Sequence, residues 1–229
     1  MQELTQRSWP VAEALFVGRP RVITDAQGSW RSSIFREQVY EAVSLSFDGL
    51  AGDEVTQPYH GGRGAAICIH LTDHYQYWNT LHSLNLQAGC VGENLTLRDV
   101  TEGEICAGDI VHLGTALVQV SGPRVPCANL ARRIGRSDWV KLTIRANRTG
   151  FYARVLECGV IQAGDEWRLQ DRVNKNGSIP AINACMYLNF DPGYAHDVIQ
   201  MQGLDEWWKI QMRERLEQHD EHWTSKMNL

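Results

Sequence analysis

The chain has 229 residues, 43% of them apolar, and a formal net charge of −5. That much apolar material can bury a core, which excludes an intrinsically disordered chain and predicts one domain of ordinary size or a domain with an appendage. The acidic balance and the lack of any long Lys/Arg run exclude nucleic-acid binding as the main business.

From Met1 to Phe16 the residues Glu3, Arg7 and Glu13 interrupt any apolar core of a signal peptide, and no run in the sequence approaches a membrane span. A cytoplasmic protein without a membrane partner is the expectation. Next comes Asp48-Gly-Leu-Ala-Gly-Asp53, then His60-Gly-Gly-Arg-Gly64 leading into an apolar strand, Ala65 to Leu71. Three glycines around an arginine let backbone N–H groups turn toward an anion that the guanidinium pairs with, so the stretch reads as a phosphate cradle. A surface turn is the plainer reading of the same residues. It is not a Walker loop, because no Gly-Lys-Ser/Thr follows, nor a dinucleotide fingerprint, because no helix opens there.

Asp73 with Gln76 three residues on resembles a capping box, with Tyr75, Trp78 and Leu81 on one helix face and His74 and His82 on its surface. Gly92-Glu-Asn94 places a polar amide at a strand start, or makes a turn. Strands are predicted at Asn94 to Leu97, Ile110 to Leu113, Ala116 to Val120, Gly150 to Leu156 and Val160 to Leu169. Ala-Gly-Asp recurs at 51–53, 107–109 and 163–165, which reads as repeated turn chemistry rather than a solenoid repeat. Ser121-Gly-Pro-Arg-Val-Pro-Cys127 ends on a thiol before a helix-like run, Ala128 to Ile134, that Gly135 stops. Two prolines, a helix start and Arg124, Arg132 and Arg133 nearby favour the thiolate, which attacks electrophiles or ligates soft metals. A second helix follows, capped by Ser137 or Asp138, with Val140 and Ile144 on one side.

The other cysteines, at 68, 90, 106, 158 and 185, form no Cys-x-x-Cys pair and fit neither a zinc ribbon nor a disulfide scaffold; most read as small core residues. Beyond Asp171 the polar Arg172 to Ser178 reads as a linker, and Leu204, Trp208, Met212 and Leu216 fall on one i, i+4 row of a helical tail. Those short helices need one another or the barrel to bury Trp207 and Trp208. The fold class is therefore mainly β with some α: a barrel over residues 1–171, a linker over 172–179 and a small helical domain over 180–229.

The ordered set Asp48-Gly-x-x-Gly-Asp53, His60-Gly-Gly, Gly92-Glu-Asn-Leu95, Gly108-Asp109, Ser121-Gly-Pro-Arg-x-Pro-Cys127 and Gly150-Phe-Tyr-Ala-Arg154 resembles the MOSC domain, named for the C-terminal part of molybdenum cofactor sulfurase. The resemblance covers about residues 15 to 170. The tail, Ala181 to Leu216, is similar to the three-helix domain of the bacterial hydroxylaminopurine-resistance (YiiM-type) branch. The resemblance implies a β-barrel that binds a molybdopterin-type molybdenum cofactor and reduces N-hydroxylated substrates, 6-N-hydroxylaminopurine and amidoxime-like compounds, in base-analogue detoxification. It implies neither the sulfurase's lyase portion nor the membrane anchor of the mitochondrial relatives.

Carried onto this sequence, the resemblance makes Cys127 the molybdenum ligand, and soft thiolate suits that metal. It puts His60, Gly61, Gly62 and Arg63 on the loop near the cofactor and Asn94 close to the pterin. Arg124 and Arg154 become basic candidates for phosphate or pterin, while Asp53 shapes its turn or orients His60. His60 is also the side chain suited to proton delivery near neutral pH, or else structural. With no flavin, haem or iron–sulfur motif in the sequence, a separate electron-donor reductase is the expected partner. Two rival readings stay open: a Cys127-nucleophile hydrolase or transferase with His60 as base, and a non-catalytic carrier of cofactor or sulfur. The tail's aromatics fit either a homodimer interface or a cap on the barrel.

Overall fold

The computed structural model describes residues 8–56 and 62–218. Its strands, in chain order, are β1 (Val11–Val17), β2 (Arg21–Asp25), β3 (Gly28–Ser32), β4 (Glu37–Val39), β5 (Val43–Ser46), β6 (Gly49–Leu50), β7 (Ile67–Leu71), β8 (Leu95–Arg98), β9 (Ile110–Leu113), β10 (Ala116–Pro123), β11 (Phe151–Glu157), β12 (Gly159–Ile161) and β13 (Trp167–Asp171). The helices are α1 (Thr72–His82), α2 (Ala128–Ile134), α3 (Trp139–Arg145), α4 (Ile179–Tyr187), α5 (Pro192–Gln200) and α6 (Glu206–Gln218). The core is mainly strand and the class α+β, as the sequence predicts.

Eight strands form one sheet in the order β13-β9-β10-β11-β7-β8-β1-β4, antiparallel except for β7 beside β8, which α1 connects as a crossover. The sheet curls on itself like a barrel. Near the curl's meeting point Val11 bridges Glu166, Ala12 N–H donates to Asp165 O and Trp167 N–H donates to Pro10 O. Alternation drives this: in β10 and β11 Val118, Val120, Phe151, Ala153 and Val155 face inward while Leu117, Gln119, Tyr152 and Arg154 are only partly buried. β7 is buried on both faces, with α1 lying over its outer side.

All three Ala-Gly-Asp tripeptides make the same turn. Each Asp N–H donates to the carbonyl three residues back, and Gly52, Gly108 and Gly164 take positive φ of 87°, 85° and 96°. Several expectations are corrected. Val160 to Leu169 is two strands with the third of these turns between them. No side chain caps α1: Asp73 pairs with Arg148 at 2.8 Å instead, and Leu81 is exposed. Asp138 sits at the α3 N-cap, but its carboxylate is taken by Arg136 rather than by the helix. His74 is fully buried, edge-on to His70.

Helices α4, α5 and α6 bury Ile182, Met186, Ala195, Val198, Trp208 and Met212 in one cluster with Ala107 and with Ile144 of α3, with Leu204 at one end of the predicted row and Leu216 partly buried at the other. The polar stretch before α4 is tied down: Arg172 pairs with buried Asp109 at 2.7 Å, and Asn174 Nδ2 donates to Ala107 O and Gln202 O. Trp208 is buried, but Trp207 stays 42% exposed, against expectation. No helix among the described residues is long and apolar enough to cross a membrane.

Candidate functional site

Strand β10 runs out through Pro123 and ends in the Arg124-Val-Pro segment, which delivers Cys127 to the N-cap of the seven-residue α2; Gly135 closes that helix in the left-handed conformation. Cys127 is half-buried and lines a cavity of about 360 Å³. Arg124, Asn94 and Gly62 line the same cavity, so four of the residues expected at the site converge there from elements far apart in sequence. Ser33, Thr56 and Tyr152 add hydroxyl groups to its wall.

The floor is a charge cluster that the sequence reading did not single out. Asp53, from the first Ala-Gly-Asp turn, accepts Arg36 Nε and Nη2 at 2.8 Å each, Gly18 N–H at 2.8 Å and Asn94 Nδ2 at 2.9 Å. In the other two turns the aspartate folds back onto the N–H three residues before it; here it is released from that role and binds Arg36. Asn94 is a clamp. Besides Asp53, its Oδ1 accepts Cys68 N–H at 3.1 Å and its backbone bonds both Cys68 and Phe16, which locks β7 to the approach of β1.

Arg124 is held mainly by the backbone. Its Nη2 donates to Val91 O at 2.7 Å, while Nη1 is buried with no hydrogen-bond partner among the described residues. Arg36 is matched by Asp53, whereas Arg124 makes no ion pair in contact among the described residues, with Cys127 and the buried Glu93 carboxyl acting on it from farther off. The thiol of Cys68 and the phenol of Tyr152 cannot supply the counter-charge at neutral pH. Burial pushes both up, Tyr152 to about 12, so both keep their protons.

The remaining predicted positions fall elsewhere. Arg63 is exposed, its guanidinium over the Phe47 ring and 3.8 Å from Asp48, and is not part of the cavity wall. Arg154 lies along β11 with its Nη2 3.8 Å from Asp205 and also does not line the cavity. Arg132 pairs with Asp25 and Arg133 donates to Gly89 O, so of the three arginines near Cys127 in sequence Arg124 alone shares its cavity. His60 and Gly61 lie outside the described residues. Among the described residues, no three His, Cys, Asp or Glu side chains are grouped to hold a metal by themselves.

A cavity of this size, with the Cys127 thiol and Arg124 in one wall and Asp48, Asp53 and Glu54 in the rest, can take a ligand that turns an anionic group toward Arg124. The MOSC domain matches residues 56–168, which hold Cys68, Asn94, Arg124, Cys127 and Tyr152. The YflK protein of Bacillus subtilis is 34% identical over 76% of this chain and 79% of its own length. A Gibberella moniliformis protein named Reductase is 36% identical over 63% of this chain and 27% of its own length. The crystal structure of YiiM from Geobacillus stearothermophilus superposes with a TM-score of 0.76 at 31% identity, over 90% of this chain and 99% of that one. With these matches, the chain belongs to the MOSC domain family, in its YiiM-type branch.

Proposed function

We propose that the chain is a molybdenum cofactor-dependent reductase of N-hydroxylated compounds. The observation that carries this is that Cys127 and Arg124 line one cavity, with Arg124 Nη1 buried and without a hydrogen-bond partner among the described residues. A buried donor without an acceptor is costly, and an anionic ligand removes the cost. That fits a molybdopterin-type group, which brings a phosphate and a metal that takes soft thiolate. Arg124 and the hydroxyls of Ser33 and Thr56 would hold the anionic parts, Gly62 would allow close approach of the backbone, and Cys127 Sγ would be the protein's ligand to molybdenum.

When bound, the group supplies the two-electron chemistry, and the protein supplies binding, orientation and protons. The overall change is R–NHOH + 2 e⁻ + 2 H⁺ → R–NH₂ + H₂O: the N–O bond breaks, nitrogen is reduced and the oxygen leaves as water. The electrons come from a separate reductase. Tyr152 keeps its phenolic proton at neutral pH and acts at the cavity wall as a hydrogen-bond donor. Asp53, Arg36 and Asn94 form a floor that ties β7 and β1 to the start of β8.

Reduction of 6-N-hydroxylaminopurine with an artificial electron donor tests the reading, using protein purified from a host that makes the cofactor and from one that cannot. Activity should appear only in the first preparation. Equal activity in the second would refute the cofactor dependence and return the site to thiol chemistry.

A further inference from the structure

A second cavity, of about 480 Å³, adjoins the first. Cys127, Tyr152, Val125 and Ala65 line both, so the thiol sits in a shared wall. The chemistry differs on the two sides. The first cavity is lined by charged groups of both signs (Arg36, Arg124, Asp48, Asp53 and Glu54) and several hydroxyls, whereas the second is walled by Pro123, Trp207 and Trp208, with Asp205 as its one charged lining residue among those described. Ser121, 1% exposed, also lines it, and its Oγ is buried without a hydrogen-bond partner among the described residues.

The helical tail is fastened where it forms this wall. Asp205 N–H donates to Ser121 O at 2.7 Å, Asp205 Oδ1 accepts Trp207 N–H at 3.0 Å at the start of α6, and Trp208 Nε1 donates to Pro123 O at 3.1 Å. Gly122 permits the close approach: a Cβ there would stand 2.9 Å from Trp208 Cδ1, and its φ of 140° disfavours other residues. Trp208 is thereby fixed and buried. Trp207 meets it at 90°, ring centroids 5.1 Å apart, and keeps much of its indole uncovered. An exposed indole on a rigid mount is a stacking platform whose ordering cost is already met.

We infer that this second cavity is the substrate pocket and that Trp207 sets its preference for a flat aromatic ring, stacked on the indole with the N-hydroxyl group toward the Cys127 wall. The inference rests on the reductase reading. Asp205 and Ser121 Oγ would meet the polar edge of the ring. With a carboxylate and no arginine in its wall, the pocket takes an uncharged base in preference to its phosphorylated nucleotide. Arg154, 3.8 Å from the far oxygen of Asp205, steadies that carboxylate from outside the lining.

Two readouts separate this inference from the function it rests on. The first is binding of the product base, adenine, to purified protein by calorimetry without reductant. Trp207→Ala should weaken it about tenfold, the size of one lost base–aromatic stack, while Trp207→Phe stays close to wild type and AMP binds more weakly than adenine. The second is the ratio of kcat/KM for 6-N-hydroxylaminopurine to that for the acyclic acetamidoxime, which Trp207→Ala should lower by a similar factor. Adenine binding that is absent from wild type, or identical in Trp207→Ala, overturns the pocket, as does an unchanged kcat/KM ratio. Trp207-dependent adenine binding in a protein that reduces neither substrate would keep the pocket and remove the reductase function. Reduction with an unchanged ratio would do the reverse.

Discussion

Replacing Asp53 by Ala strips Arg36 of its counter-ion in a place water hardly reaches, since both side chains are 10% exposed. Two guanidinium bonds of 2.8 Å are lost together with the acceptor for Gly18 N–H and Asn94 Nδ2. Breaking a buried pair from one side costs about 3–5 kcal/mol, because the charge left behind stays desolvated. For a chain of this size that corresponds to a fall in Tm of roughly 10 °C. Urea titration monitored by tryptophan fluorescence measures it, with the midpoint falling and the slope unchanged. Arg36→Met combined with Asp53→Leu should regain the part of the loss that comes from the stranded charge, while Gly18 N–H, Asn94 Nδ2 and Gly92 O stay without their partners. An Asp53→Ala protein within about 0.5 kcal/mol of wild type would refute the reasoning, because only an exposed pair is worth so little.

Three further outcomes follow from the same contacts. Burial lowers the His74 pKa to about 3, with the Arg148 charge adding to it, from an ordinary 6.5; Asp73 and Glu102 oxygens lie 3.7 Å from its Nε2 and His70 packs against its ring. Because the folded pKa is depressed, the unfolded chain takes up the proton first, and the stability present above pH 6.5 drains away as pH falls toward 3. His74→Gln should therefore gain about 2 kcal/mol on wild type between pH 7.5 and 5 in urea midpoints, and parallel curves would contradict this. Gly108→Ala puts a Cβ 2.4 Å from Gln202 O at a φ of 85°, which should cost about 1–3 kcal/mol in thermal unfolding by prying the tail from the barrel. Arg172→Ala leaves buried Asp109 with only the Cys106 N–H, a loss of about 1–3 kcal/mol measurable the same way.

What the sequence made legible was local. The Cys127 N-cap and Gly135 stop, the three Ala-Gly-Asp turns and the Leu204, Trp208, Met212 row are each written within a dozen residues, where turn chemistry and helical period act directly. The Arg36–Asp53 floor was hidden because its parts are brought together only by the fold: Arg36 reaches Gly92 O across 56 residues, and Asn94 reaches Asp53 across 41. The β2–β3 hairpin gave no periodic signal, since most of its residues are exposed on both faces. Arg63 and Arg154 show the limit of carrying roles by motif. Arg63 follows Gly62 of the first cavity, but its guanidinium lies over the Phe47 ring; Arg154, two residues after Tyr152, reaches Asp205 of the second cavity instead of the first.

The claim at the centre is that Cys127 and Arg124 hold a molybdenum cofactor between them. Elemental analysis together with fluorescence of the oxidised pterin, on protein from a host that makes the cofactor, measures it directly for wild type, Cys127→Ser and Arg124→Met. Molybdenum and pterin should co-purify in proportion with wild type, with both reduced in Arg124→Met and the metal lost first in Cys127→Ser. Metal-free, pterin-free wild type that still reduces 6-N-hydroxylaminopurine would contradict the account.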